Sequence, residues 1–262
     1  MKIYALMENI SHDECLACEH GLSLYIEADG KKILFDTGAS EKFAENAEKM
    51  GVDLKAVDFA AISHGHYDHG GGLAKFIEIN DHAPIYISNK GFNQYYSGTD
   101  FNVSIPEGLE GNPRFVLTSE PIKLSENITL LNCNDREAKY FADPYGLNKL
   151  VDGEFIPDDF LHEQYLIIEE NGKRIVISGC SHKGILNIME WLKPDILIGG
   201  FHFFRLTTEG EDATTLDKSA AILNEYGATY FTCHCTGTEQ YEYLKAQMPK
   251  LNYIATGDVI EF

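Results

Sequence analysis

His64-Gly65-His66-Tyr67-Asp68-His69, with Gly70-Gly71-Gly72 directly behind it, places four metal-competent side chains within six positions. The cluster follows an apolar run, Val57-Asp58-Phe59-Ala60-Ala61-Ile62, which has the length and character of a buried strand. It therefore falls in a strand-to-helix turn, which can aim several side chains at one point as a straight strand cannot. Two imidazoles spaced i, i+2 can grip one cation, and the Asp68 carboxylate and His69 imidazole can face a second. Imidazole together with carboxylate suits Zn, Fe or Mn better than Ca or Mg. The glycines allow close backbone approach and a tight start to the next helix, expected over residues 72–79. Taken singly, a histidine is usually a surface or satisfied core residue, and Asp68 could simply cap that helix. Four such residues at this spacing, flanked by glycine, point to a metal site instead.

The pattern around this turn is one of strands and helices in alternation. Residues 22–28 and 31–35 read as a hairpin closed by Asp29-Gly30, and the second strand ends in Asp36-Thr37-Gly38. A helix over 41–50 stops at Gly51. A strand over 84–88 follows the metal turn and its helix. Residues 89–160 break the rhythm, being rich in Gly, Asn, Pro and aromatics; they read as an insertion or lid over the site, with strand-like runs at 114–118 and 128–133. The rhythm resumes with paired strands at 165–168 and 174–178, a helix over 184–192, a strand at 195–198, a helix over 216–226, a strand at 229–232, a helix over 239–247 and strands at 253–255 and 259–262. Two mixed β-sheets packed face to face with helices outside satisfy this order within a single domain, 1–262.

A two-metal site needs more donors than one cluster supplies, since catalytic metals usually take three or more protein ligands. Three histidines stand where buried strands run into turns: His182 after Ile175-Val176-Ile177, His202 after Ile196-Leu197-Ile198-Gly199-Gly200, and His234 after Tyr230-Phe231-Thr232. Loops at strand ends are a common place for such ligands. His182 and His234 are the stronger ligand candidates, and His202 is as readily a proton donor.

The net charge of −20, with no run of Lys or Arg, opposes binding of a nucleic acid. No apolar stretch approaches the roughly 20 residues of a membrane span. The first residues read as a strand, not a signal peptide, so the six cysteines are expected to be reduced thiols in the cytoplasm. Cys15-x-x-Cys18 looks like half of a zinc knuckle with no second half nearby.

His64-x-His66-x-Asp68-His69, preceded by Leu34-Phe35-Asp36-Thr37-Gly38, resembles the metallo-β-lactamase superfamily over nearly the whole chain. The resemblance implies a four-layer αββα sandwich, a binuclear site at one edge, and a supporting, non-ligating role for Asp36. His20-Gly21-Leu22-Ser23, Gly179-Cys180-Ser181-His182 and Cys235-Thr236-Gly237 are similar to the branch named for archaeal dihydropterin–ribofuranosylaminobenzene-phosphate synthase. There is one departure: most members place a bridging aspartate where this chain has Cys180. That leaves open whether Cys180 ligates, and whether His182 or His162 completes the first metal position.

The expectation is a metal-dependent hydrolase with two divalent ions, Zn by default and Fe or Mn as alternatives. His64, His66 and His182 would hold one ion and Asp68, His69 and His234 the other. A metal-bound hydroxide would attack a small phosphoester, ester or lactam-like substrate, with Asp68 and His202 as the catalytic residues. Gly199 and Gly200 would let substrate approach His202. One alternative is a pterin-linked synthase that displaces diphosphate, with Tyr95, Phe101 or Tyr140 stacking on the pterin. Another is a non-catalytic sensor of a metal-bound ligand.

Overall fold

Alternation within the strands decides the layers. In the computed structural model, which describes residues 1–262, Ile33 and Phe35 point one way from their strand and Leu34 the other. The same holds for Ile175 and Ile177 against Val176, and for Ile196 and Ile198 against Leu197. Because both faces of these strands are covered, the sequence shows nearly continuous apolar runs. Three large hydrophobic clusters result. The middle one lies between two sheets, joining Ile3, Leu24, Ile26 and Phe35 to Leu130, Leu166, Ile177 and Ile198. The outer two lie between each sheet and its helices. This is the expected four-layer αββα sandwich.

The first sheet has seven strands in the order Val259–Glu261, Lys2–Met7, Ser23–Ala28, Lys31–Phe35, Phe59–Ala61, Ile85–Ser88, Phe115–Thr118. The second is ordered Leu251–Tyr253, Thr229–Thr232, Ile196–Ile198, Lys173–Ile177, Tyr165–Glu170, Ile128–Leu131, Ile122–Lys123. Each combines antiparallel hairpins with a parallel half. Hairpins close at Asp29-Gly30 and Asn171-Gly172, whose positive φ values of 50° and 68°, and 53° and 71°, are those of a tight primed turn. Helices Lys42–Lys49 and Leu73–Ile79 cover the first sheet, and Ile185–Leu192, Gly210–Glu225 and Thr238–Lys245 the second. The helix at 210–225 starts earlier than the expected 216, and no helix is long and apolar enough to cross a membrane.

Residues 89–160 divide among all three sheets. Phe115–Thr118 forms the edge of the first sheet, and Ile122–Lys123 and Ile128–Leu131 the edge of the second. Only Tyr95–Ser97, Phe101–Asn102, Leu147–Val151 and Glu154–Pro157 stand apart, as a small four-stranded sheet. Pairing with neighbours recruits strands as short as two residues, which composition alone does not reveal. The parallel strands Phe59–Ala61, Lys173–Ile177, Ile196–Ile198 and Thr229–Thr232 lead into the turns bearing the candidate ligands. These turns therefore gather at one edge of the sandwich.

Candidate metal centre

Three of the four histidine turns are fixed by a buried carboxylate. After Phe35, Asp36 sits in the left-handed region (φ 60°) and aims its side chain at the next turn. It accepts hydrogen bonds from the Ser63 N–H (2.6 Å) and the Ser63 hydroxyl (2.7 Å), and its Oδ2 lies 2.7 Å from His69 Nδ1. Glu163 accepts from the N–H groups of His182 (2.7 Å) and Lys183 (3.0 Å) and from the Tyr165 hydroxyl (2.7 Å). Glu8 accepts from the His234 N–H (2.5 Å) and the Tyr253 hydroxyl (2.8 Å). Ser181, His202 and His234 also have positive φ, between 50° and 60°. Strained backbone held by buried acceptors is how a fold preorganises a site.

The six expected ligands come together. His64 Nε2 and His182 Nε2 are 3.2 Å apart, and His64, His66 and His182 each offer a donor within 4.8 Å of the others. His66 Nε2 and His182 Nδ1 are buried with no hydrogen-bond partner. His69 Nε2 lies 3.2 Å from His234 Nε2, and Asp68 Oδ2 is 3.3 Å from His234 Nε2 and 3.9 Å from His69 Nε2. The tautomers follow from the outer partners. His69 Nδ1 donates to Asp36, and His234 Nδ1 donates to Asn9 Oδ1 at 2.8 Å. Both Nε2 atoms therefore turn lone pairs toward each other, an arrangement that calls for a positive charge among them.

The electrostatics agree. Burial, reinforced by neighbouring imidazoles, holds His64 and His182 well below the ordinary histidine value and lowers His66 to about 3 and His202 to about 3. Burial also lowers His234 to about 4. These rings are neutral at pH 7, the form that ligates. Burial pulls on His69 in the same direction, but the Asp36 and Asp68 carboxylates outweigh it and raise its value. Burial likewise opposes ionisation of Asp68, yet His69, His20 and His234 hold it well below the usual carboxylate range.

His162 is placed otherwise. The Gly65 N–H donates to its Nδ1 (2.8 Å), and its Nε2 donates to Asp158 Oδ2 (2.9 Å). With both nitrogens engaged, His162 clamps the backbone between His64 and His66, and His182 is the histidine that faces them. Asp68 lies inside the short helix Tyr67–Gly70 and does not cap the next one, whose N-terminus is at Gly72.

Two cavities meet at His182 and His202. One, of about 200 Å³, is lined by Asp68, Cys180, His234 and Cys235, with Phe101 and Leu147 of the small sheet forming a wall. The other, of about 290 Å³, is lined by Tyr140, Phe141, Tyr145, Ile185, Phe203 and Ile222. Two expectations need correction. Gly199 and Gly200 do not open a path to His202: a Cβ at Gly199 would lie 2.0 Å from the Ser178 carbonyl oxygen, and one at Gly200 2.2 Å from Cys235 Sγ. They serve backbone packing. Nor is Tyr95 free to stack on a substrate, since it is buried against His162 (ring centroids 4.0 Å apart) with its hydroxyl on the Lys90 carbonyl. Tyr140 lines the larger cavity and Phe101 the smaller.

Sequence reading quoted His20 within a motif but gave it no role, though its Nε2 is 3.2 Å from Asp68 Oδ2, and it passed over the supporting Glu8, Asn9, Asp158 and Glu163. An available signal was an acidic residue abutting an apolar strand, as in Leu6-Met7-Glu8 and Glu163-Gln164-Tyr165-Leu166.

The family model for the metallo-beta-lactamase superfamily matches residues 17–211. The 7,8-dihydropterin-6-methyl-4-(beta-D-ribofuranosyl)-aminobenzene-5'-phosphate synthase of Methanocaldococcus jannaschii is 31% identical, over 90% of this chain and 88% of its own. An uncharacterized protein of the same archaeon, MJ0448, is 28% identical over 98% and 99% of the two chains. A solved structure, Tm1679, described as a metal-dependent hydrolase of the beta-lactamase superfamily, aligns with a TM-score of 0.83 and 28% identity, covering 100% of this chain and 99% of that one.

Proposed function

The chain belongs to the metallo-β-lactamase superfamily, and from that premise we propose that it is a metal-dependent hydrolase of a small phosphoester, ester or lactam-like molecule. The observation that carries this reading is the convergence of His69 Nε2 and His234 Nε2, 3.2 Å apart, with Asp68 Oδ2 3.3 Å from His234 Nε2. Such a donor set, with the orphaned nitrogens of His66 and His182, fits divalent cations. His64, His66 and His182 would hold one ion, and Asp68, His69 and His234 a second; Zn is the default and Fe or Mn suit the same donors. Ions held there would lower the pKa of a coordinated water to about 7 and polarise a phosphoryl or carbonyl oxygen.

The protein's own groups do the rest. Asp68, ionised and reachable from the cavity, can accept a hydrogen bond from an attacking water and fix its direction. Neutral His202 offers an N–H hydrogen bond to the leaving-group oxygen. An anionic substrate bound beside it would raise its proton affinity, which is the state a leaving-group acid needs. The test is turnover of a panel of phosphodiesters, esters and lactams by protein loaded with Zn, Fe or Mn, against metal-stripped protein. Metal-dependent hydrolysis of one class supports the reading; no hydrolysis of any class by the loaded protein counts against it.

A second reading is a synthase that displaces diphosphate with an arylamine nucleophile. The 31% identical relative and the aromatic-walled cavity beside His182 favour it. Diphosphate release that requires the amine, with no hydrolysis of simple phosphoesters, would select it over the hydrolase.

A further inference from the structure

The smaller cavity carries a positive charge that bond cleavage itself does not use. The chain has four arginines. Arg114 donates to the Asn80 carbonyl, Arg136 to the Trp191 carbonyl, and Arg174 to the Glu169 carboxylate at 2.7 Å and the Leu192 carbonyl at 3.3 Å. Arg205 reaches neither a carboxylate nor a carbonyl. Its guanidinium makes one long hydrogen bond, 3.5 Å to the Ser97 hydroxyl of the small sheet, and lies over the Phe204 ring, 5.3 Å from its centre. Arg205 is also the only Lys or Arg lining the cavity that holds Asp68, His182, His202 and His234. It follows His202 by three residues, so the turn that positions the proposed proton donor also positions the cation. With 41 Asp and Glu against 21 Lys and Arg, acidic partners outnumber cations, yet this one at the cavity rim has none.

We infer that Arg205 binds a second oxyanion of the substrate, a carboxylate or phosphate separate from the bond that is cleaved, and so selects which small molecules the site accepts. The inference rests on the metal-dependent reading of the site, in which the reacting group is held at the imidazole cluster. A guanidinium fork matches the paired oxygens of a carboxylate or phosphate. Stacking on Phe204 orders that fork in advance, so less freedom is lost when an anion docks. The negative charge of the rest of the molecule disfavours capture of an anion elsewhere on the surface. The substrate class is then a small molecule with a hydrolysable group at one end and an anion at the other.

The experiment uses the full chain loaded with Zn and pairs of non-hydrolysable probes, an alkylphosphonate and the ω-phosphonoalkanoate of equal chain length, over a series of lengths. The phosphonate addresses the cluster in both members of a pair, and only the second carries a further anion. Calorimetric titration of the parent should show the carboxylate-bearing probe binding about tenfold tighter or more at the length that spans the cavity. A bisphosphonate series of the same lengths puts a phosphate-like group in that place, and a gain in either series supports the inference. Arg205→Gln should bring the members of each pair to equal affinity, and Arg205→Lys should keep only part of the gain, since a point charge lacks the fork. Metal per chain on the same samples checks that the centre is intact. Equal affinities throughout both series in the parent, or a gain that survives in Arg205→Gln, would overturn the inference and leave the hydrolase reading standing. No binding of any phosphonate, with or without the second anion, would count against that reading and overturn the inference with it.

Discussion

His162 and His182 both flank the hairpin of the second sheet, and local sequence does not separate them. What separates them is long-range. His162 has its nitrogens taken by Gly65 and Asp158, whereas His182 Nε2 meets His64 Nε2. His162→Gln should therefore keep the wild-type number of bound metals while weakening their affinity about 10–100-fold, as loss of an outer partner does; competition with a metal-sensitive dye would measure it. Loss of a whole equivalent in that variant would make His162 a ligand. His202→Ala should lower kcat by about 10²–10⁴ with metal content unchanged, because its ring faces the cavity and lies outside the converging set. The contiguous cluster at 64–69 and the strand-end positions of His182, His202 and His234 were legible in the chain. Of the carboxylates that hold them, Asp36 was legible through its motif but Glu8 and Glu163 were not, because Glu8 and His234 are 226 residues apart and only folding brings them together.

At the scale of elements, the turns are tight enough that small residues decide them. A Cβ at Gly200 would press on Cys235 Sγ, so Gly200→Ala should destabilise the protein by about 1–3 kcal/mol and displace the His234 turn. Chemical denaturation and the metal affinity of the same sample would show both effects together; a stable variant with weakened metal would mean that the turn moves without strain. Glu163→Ala should cost about 1–3 kcal/mol for each donor left unpaired among His182 N, Lys183 N and the Tyr165 hydroxyl. Long apolar strands such as 165–168 and 174–178 announced themselves because both faces are buried. The run at 114–118 read as a strand but not as the edge of the first sheet, and Ile122–Lys123 was not legible, since pairing with a neighbour is what makes it a strand. That is why 89–160 reads as one insertion from composition, yet contributes to all three sheets.

For the whole molecule, the buried histidines couple stability to pH. His66, His202 and His234 are held at about 3, about 3 and about 4, and in the unfolded chain they titrate near 6.5. Below pH 6.5 the unfolded state binds more protons, so their contribution is complete above that value and is lost as pH falls toward 4. His69, shifted upward, opposes the trend by one group. Metal-stripped protein should lose denaturant resistance between pH 6.5 and 4.5, with a shallower slope in His202→Ala; an identical slope in the variant would remove His202 from the linkage. The net charge of −20 sets the other whole-molecule expectation: a polyanion such as a nucleic acid would be repelled. The central claim is that two sets of imidazoles converge on divalent ions. Metal per chain, measured on protein purified without added metal and on its His182→Ala variant, tests it most directly. The account predicts two equivalents in the parent and one in the variant. A metal-free parent that also fails to take up Zn, Fe or Mn, or a variant that keeps both equivalents, would contradict it.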